Sequence, residues 1–318
     1  MASRFPDTPR VSVLMPVRNG GSYLDSALNS IRAQSFQEFE FVVVDDGSTD
    51  ATPSVLARHA AGDARIRVLT AGGRGIVDAL NQGLAAARGA LVARMDADDV
   101  AEPHRIGRQV AEMEARPDLV LLGSAAVRID AQGRTIGPLA VETDPERLAE
   151  ALRSHNPFLH PTVIMRREAV EAAGGYRRQF TLAEDYELWT RLARLGTLAN
   201  LPDVLLRLRR HRNQSSHSHR REQRAVHALV RRTAWNPQID PSPAGPQSAV
   251  EAMAAYLADH GRHASGAEAR KDVALMLEWC LAEGGLSAER RRALAAAVGP
   301  GSSLLSALRR EWRLLVAR

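Results

Sequence analysis

Along the first hundred residues the hydrophobic positions follow two alternating patterns. Val11–Met15, Phe39–Val44, Ile66–Leu69 and Leu91–Met95 are short, largely apolar runs that end in polar or acidic residues, which predicts buried strands. Between them, Tyr23–Ala33, Thr52–Ala60 and Ile76–Arg88 carry helical spacing. Strand–helix alternation at this spacing predicts an α/β fold, a mostly parallel sheet flanked by helices. Such sheets bind ligands at the carboxyl ends of their strands. Here those ends hold Pro16–Asn19, Asp45–Asp50 and Asp96–Asp99.

The pattern then changes. Leu119–Asp130 reads as two strands, Ala131-Gln132-Gly133 as a turn, Thr162–Met165 as a strand, Asp185–Leu195 as a helix and Val204–His211 as extended chain. From about residue 212 the chain turns basic and polar, and Asn236–Gln247 is rich in Pro, Ser and Gly, as linkers are. Ser248–Arg318 returns to helical periodicity, broken at Gly261, Gly284 and Gly299, and predicts a small bundle. The expected organisation is an α/β domain over 1–217, a basic helix and linker over 218–247, and a C-terminal α-helical extension over 248–318.

Composition narrows the class. With 318 residues and 45% hydrophobic content, the chain can bury a sizeable core. No apolar run reaches the roughly 18 residues needed to cross a bilayer, and no apolar leader follows Met1. Cys280 is the single cysteine, so an internal disulfide is excluded, and a cytoplasmic location is expected. The net charge is +5, and Lys271 is the single lysine, so the excess is arginine. That excess reflects either codon usage or attraction to phosphates, anionic lipid or nucleic acid. Near the C-terminus Leu304, Leu308, Trp312 and Leu315 recur at helical spacing beside Arg309, Arg310, Arg313 and Arg318. Such a helix either closes the bundle or makes peripheral contact with the inner face of the membrane.

The strand ends carry the candidate chemistry. Val44-Asp45-Asp46-Gly47-Ser48 empties a strand into two carboxylates, with Ser48 or Thr49 as the expected cap of the next helix. Those acids either contact a ligand or only cap. Asp96, Asp98 and Asp99 crowd one strand terminus, an unfavourable arrangement unless a cation or donors offset it. Hard ions such as Mg²⁺ and Mn²⁺ take one or two carboxylates together with substrate phosphates. Pro16-Val17-Arg18-Asn19-Gly20-Gly21 stands where a dinucleotide fingerprint would be, and no phosphate-binding Gly/Lys loop occurs. Acids also open the helix at Glu184-Asp185, where helix-dipole compensation alone would suit them. His211, His217 and His219 have no zinc-motif spacing.

Taken together and in order, these segments resemble the family 2 glycosyltransferases, which have the GT-A fold, over about residues 10 to 217. The carrying motifs are Val11–Asn19, Ser30–Phe36, Val44–Asp50, Ala79–Gly83 with Ala87–Gly89, Met95–Asp99, His160–Val163, Gly174–Tyr176 and Glu184–Trp189. The resemblance implies an inverting transfer of sugar from a nucleotide-diphospho-sugar, usually of UDP, to a hydroxyl of a glycan or lipid-linked saccharide. It implies a nucleotide-sugar site of Pro16, Val17, Arg18, Asn19, Asp45, Asp46, Asn81, Asp96, Ala97 and Asp98. It implies Mn²⁺ or Mg²⁺ at Asp98 and Asp99, with His211 as a further metal or phosphate contact. Asp185 is the implied catalytic base, with His160, Glu184 and Trp189 on the acceptor side. Arg18 stands where many relatives have an aromatic ring, and Leu208 where a tyrosine is common. A nucleotidyltransferase or a non-catalytic nucleotide-sugar-binding protein are the alternatives. Nucleic acid is not an expected partner, since the Arg-rich stretch Arg207–Arg232 lacks interleaved aromatics.

Overall fold

The computed structural model describes residues 8–211, 219–235, 248–260 and 267–282. The linker and the Leu304–Leu315 helix expected from sequence lie outside them, as does His217. The chain divides into two compact units, one of Met1–Tyr176 with Leu188–Gln214 and one of Arg177–Glu187 with Ser215–Arg318.

The first unit is built on a nine-stranded sheet. Its strands are β1 (Val11–Val17), β2 (Phe39–Asp45), β3 (Ile66–Thr70), β4 (Leu91–Arg94), β5 (Val100–Ala101), β6 (Leu119–Ile129), β7 (Thr135–Leu139), β8 (Ile164–Arg166) and β9 (Thr197–Arg209). Their order is β3-β2-β1-β4-β8-β6-β9-β5, with β7 paired to β6. The first four run parallel, and β8 turns the sheet antiparallel against β4 and β6. The helices are α1 (Leu24–Arg32), α2 (Thr52–Gly62), α3 (Ile76–Ala86), α4 (Arg105–Ala115), α5 (Pro145–Ser154), α6 (Arg167–Ala172) and α7 (Glu184–Leu192), the last passing from the second unit into the first.

Every residue of β1 and β2 is buried, which explains their largely apolar runs, and buried Ser12 and Glu40 within them bond to each other at 2.6 Å. Val11, Val13, Met15, Phe41 and Val43 form one core with Leu28 and Ile31 of α1, Leu56 of α2 and Ile106 and Met113 of α4. Leu14 and Val44 meet α3 at Gly83, where a Cβ would stand 2.1 Å from the Leu14 side chain. Only glycine lets α3 approach the sheet this closely.

Two sequence expectations need correction. Leu119–Ile129 is one strand, because mid-strand Gly123 and Ser124 are accommodated rather than breaking it. The Ser124 amide donates to Thr162 Oγ1 at 3.2 Å, and a Cβ at Gly123 would strike Asn200. Neither Ser48 nor Thr49 caps α2, which begins at Thr52 after Ala51. Ser48 Oγ instead accepts from the Asn19 amide at 2.8 Å, and the Thr49 amide donates to Asn19 Oδ1 at 2.8 Å.

In the second unit the described helices are α8 (Arg220–Thr233), α9 (Ala249–His260) and α10 (Ala267–Ala282). They bury Val226, Leu229, Met253, Leu257, Val273, Met276 and Cys280. Buried Asp272 ion-pairs with Arg231 and, at 3.0 Å, with Arg232. Burial pushes the Cys280 thiol up to about 12, so it is an inert core group at neutral pH. Among the described residues, no helix is long and apolar enough to cross a membrane.

Candidate active site

The strand order places the site. From β1 the chain moves outward through β2 to β3, then returns to put β4 on the other side of β1. The crevice outside the carboxyl ends of β1 and β4 is therefore a topological switch point, where open α/β sheets bind ligands. Two sets of acids flank it, Asp45 and Asp46 at the end of β2, and Asp96, Asp98 and Asp99 after β4. β1 separates the two strands, so the sets lie roughly 10 Å apart at ordinary strand spacing.

On the β2 side, hydrogen bonds lock three loops together. The Gly20 amide donates to Thr52 Oγ1 at 2.8 Å and the Gly21 amide to Asp50 at 3.2 Å. Asp45 Oδ1 accepts the Ser48 amide at 2.9 Å. Asp46 Oδ2 accepts the Gly75 amide at 2.9 Å. Its other oxygen is buried without a partner, a costly arrangement unless a ligand donor fills it. The reading in which Asp45 and Asp46 only cap α2 therefore fails. Gly47 has φ of +74°, and a Cβ there would lie 3.1 Å from the Gly73 amide nitrogen. Asn19 is also left-handed, with φ of +52°. Pro16 and Val17 end β1 in the buried sheet, whereas Arg18 is exposed. Asn81 is committed elsewhere: it donates to the Tyr176 carbonyl at 2.8 Å and accepts the Tyr176 amide at 2.9 Å. It holds the Gly174–Tyr176 loop, and direct nucleotide contact would require breaking that clamp.

On the β4 side, one oxygen from each of Asp96, Asp98 and Asp99 lies within 4.8 Å of the others. Arg94, buried in β4, ion-pairs with Asp96 at 2.5 Å. Burial and then the neighbouring Asp96 and Asp98 push the Asp99 carboxyl well above its usual 3.8. Burial also raises Asp96, with Arg94 opposing. Asp99 Oδ1 accepts the Arg209 amide at 2.8 Å, while its Oδ2 is buried with no partner. His211 Nε2 lies 2.9 Å from Asp98 Oδ2. Ala97 sits between the acids and is partly buried.

The cluster rests on cations to which the sequence reading gave no role beneath the acids. Arg105 is fully buried and donates to the Arg94 carbonyl at 2.7 Å. Burial and then Arg94 lower it to about 9, so it keeps its charge at neutral pH. Arg209 donates Nε to the Asp98 carbonyl at 2.8 Å. A charged residue inside the apolar run Leu91–Met95 was the available signal for Arg94, because a buried charge requires a partner. Nothing local marked Arg105, and Arg209 stood out as part of a basic stretch rather than as a partner of Asp98 and Asp99.

In the turn His160–Thr162 that leads into β8, His160 Nε2 is 2.9 Å from the Tyr176 hydroxyl, and its ring stands edge-on to Trp189 at 5.6 Å. Burial and then Arg94 hold His160 well below 6.5, so it is neutral at pH 7. Trp189 is wholly buried.

In the second unit Glu184 and Asp185 open α7. Glu184, Tyr186 and Glu187 are buried, and Asp185 is the partly exposed member of the run. Asp185 Oδ1 accepts the Tyr186 amide at 2.7 Å, and Glu187 pairs with Arg177 at 3.3 Å. Leu182, just before, has φ of +77°, a conformation uncommon for a side chain of this kind.

Comparison with known proteins gives this architecture its class. The chain shares 32% identity over 234 residues with an uncharacterized glycosyltransferase of Haemophilus influenzae, covering 70% of this chain and 72% of that one. It shares 35% over 189 residues with the amylovoran biosynthesis glycosyltransferase AmsE of Erwinia amylovora, covering 58% and 70%. Among solved structures it is similar to S. aureus TarS 1–349 in complex with UDP-GlcNAc, with TM-score 0.59 and 20% identity over 86% of this chain and 80% of that one. It is also similar to the mannosyltransferase PcManGT from Pyrobaculum calidifontis in complex with GDP-Man and Mn²⁺, with TM-score 0.55 and 24% identity over 98% and 84%. These structural likenesses establish the GT-A fold. The protein is thus a glycosyltransferase enzyme. A model of glycosyl transferase family 2 matches residues 12–174, and the chain belongs to that family.

Proposed function

We propose that this enzyme transfers a sugar from a nucleotide-diphospho-sugar, a UDP-sugar in the first instance, to an acceptor hydroxyl with inversion at the anomeric carbon. The acceptor we infer is a glycan or lipid-linked saccharide of a cell-envelope polysaccharide, the setting in which relatives named for amylovoran and O-antigen biosynthesis work. The supporting observation is the pair of buried, unpartnered carboxylate oxygens, on Asp46 and Asp99, flanking one switch point. A base N–H satisfies the first, and a cation beside a diphosphate satisfies the second.

The donor set suits a hard divalent ion, since it is made of carboxylate oxygens with one imidazole. Asp98 and Asp99, with His211, would hold Mn²⁺ or Mg²⁺, which as a Lewis acid offsets the charge growing on the departing diphosphate. Pro16, Val17, Arg18 and Asn19 line the base, and Asp45 and Asp46 receive its donors. Arg18 takes the place of a stacking ring, a role its planar guanidinium can fill. Asp96, Ala97 and Asp98 face the ribose. Asp185 takes the proton of the acceptor hydroxyl as that oxygen bonds to the anomeric carbon and the carbon–phosphate oxygen bond breaks. His160 and Glu184 shape the acceptor side. One displacement suffices, so no covalent sugar–enzyme intermediate forms.

The test is a screen of UDP-, GDP- and dTDP-sugars with Mn²⁺, Mg²⁺ or EDTA, reading nucleotide release and product mass with candidate saccharide acceptors. Metal-dependent turnover of a UDP-sugar, lost in Asp98→Ala, is the expected result. Turnover unaffected by EDTA overturns the cation role, and release of inorganic diphosphate points to nucleotidyl transfer.

A further inference from the structure

Tyr23 lies outside every motif that carries the family resemblance, yet two neighbours of the acidic cluster meet on its ring. The Arg209 guanidinium sits over it, 4.7 Å from the centroid, and the His211 ring is 4.8 Å away. Arg209 ends β9 and His211 follows two residues on; the sheet ladder ends with Ile129 opposite Arg209 and the Arg210 amide bonding Ile129. Beyond that point, the contacts that fix His211 among the described residues are made by its side chain, with Asp98 and with Tyr23. Arg209 in turn binds the Asp98 carbonyl and, through its amide, Asp99. Its Nη1 also donates to the Asp130 carbonyl at 3.2 Å.

On the opposite flank, Tyr23 ends the Gly21–Tyr23 turn, which follows directly on the loop Arg18–Gly21. That loop is tied to Ser48, Asp50 and Thr52. A single aromatic ring thus joins the loop assigned above to the nucleotide with the turn assigned to the cation. A guanidinium over a ring face gains electrostatically and loses side-chain freedom, as does an imidazole packed beside it.

We propose that Tyr23 is a positioning residue of the cation site, holding Arg209 and His211 so that Asp98 and Asp99 present their oxygens together. The inference rests on the cation reading made above. Residues that orient ligands of a metal typically change its affinity about 10- to 100-fold when lost.

The test is calorimetric titration of the full chain with Mn²⁺ at saturating UDP, using wild type, Tyr23→Phe and Tyr23→Leu, with Tyr23→Met as a second ring-less variant should leucine impair folding. UDP titrations in EDTA run alongside. Ring loss should weaken Mn²⁺ binding about 10-fold or more, phenylalanine should restore it, and UDP affinity in EDTA should stay unchanged. A ring-less variant that binds Mn²⁺ as wild type does overturns the proposal. So does an equal loss of UDP affinity in EDTA, which would confine Tyr23 to packing its own loop. Wild type that takes up no Mn²⁺ is a separate outcome, and it removes the cation reading on which the inference stands.

Discussion

Replacing Asp99 with asparagine should make the metal-free protein more stable and at the same time remove its response to metal. Asp99 is 1% exposed, and its ligand oxygen lies within 4.8 Å of those of Asp96 and Asp98. At that separation and an effective dielectric of about 20, each like-charged pair costs roughly 3 kcal/mol. Arg94 offsets part of the Asp96 charge, and solvent screens Asp98, which leaves about 2 kcal/mol of relief to expect. Asparagine keeps an oxygen for the Arg209 amide and places a donor among acceptors. For a unit of this size, about 2 kcal/mol corresponds to a rise in Tm of about 4–8 °C. The assay is thermal unfolding at pH 8 in EDTA, repeated with Mn²⁺ and UDP. At fixed UDP, added Mn²⁺ should stabilise wild type and leave Asp99→Asn unchanged. An unchanged or lower Tm for the variant in EDTA would refute the idea that the cluster is held together against its own charge.

Other outcomes follow from the remaining geometry. Asp185→Asn should lower turnover about 100-fold or more while UDP affinity by calorimetry stays at the wild-type value; normal turnover would reject the base assignment. Gly47→Ala forces a side chain into a left-handed conformation and against Gly73, so it should cost about 1–2 kcal/mol in thermal melts and weaken UDP binding by moving the loop that Asp46 grips. Glu40 is buried, and burial alone would raise its carboxyl, but hydrogen bonds from Ser12, the Arg88 amide and the Arg67 and Arg88 guanidinium groups hold it below 4.5. A lowered folded-state pKa gives stability that is fully present above 4.5 and is lost as pH falls through the folded value. Glu40→Gln should therefore cost about 2–3 kcal/mol at pH 7 in urea unfolding and flatten the decline in stability on the acid side.

Much of the first half was legible because its strands are short, apolar and closed by turns, with β1, β2 and β4 buried throughout, so hydrophobic pattern and structure coincide. The acids at the ends of β2 and β4 stood out for the same reason, as charges at the limit of apolar runs. What escaped was what depends on pairing between distant segments. Ser48 and Thr49 have the composition of a helix cap, but Asn19 competes for them across 29 and 30 residues of sequence. Asn81 sits in a recognisable motif, yet its carboxamide serves the Tyr176 backbone, 95 residues away. Arg105 opens α4, where a cation opposes the helix dipole. Its reason for being there is the Arg94 carbonyl beneath the acidic cluster, which no local rule reveals. β6 read as two strands because glycine and serine weaken local strand preference, and only its long parallel pairing with β9 restores it.

The hydrogen bond between the Arg209 amide and Asp99 spans 110 residues. During synthesis at about 5–20 residues per second, the acidic turn leaves the ribosome many seconds before its partner strand does. Throughout that interval the three carboxylates have neither Arg209 nor His211 beside them. A nascent chain that has emerged only as far as β8 therefore carries its acidic turn electrostatically unfinished until the final strand inserts.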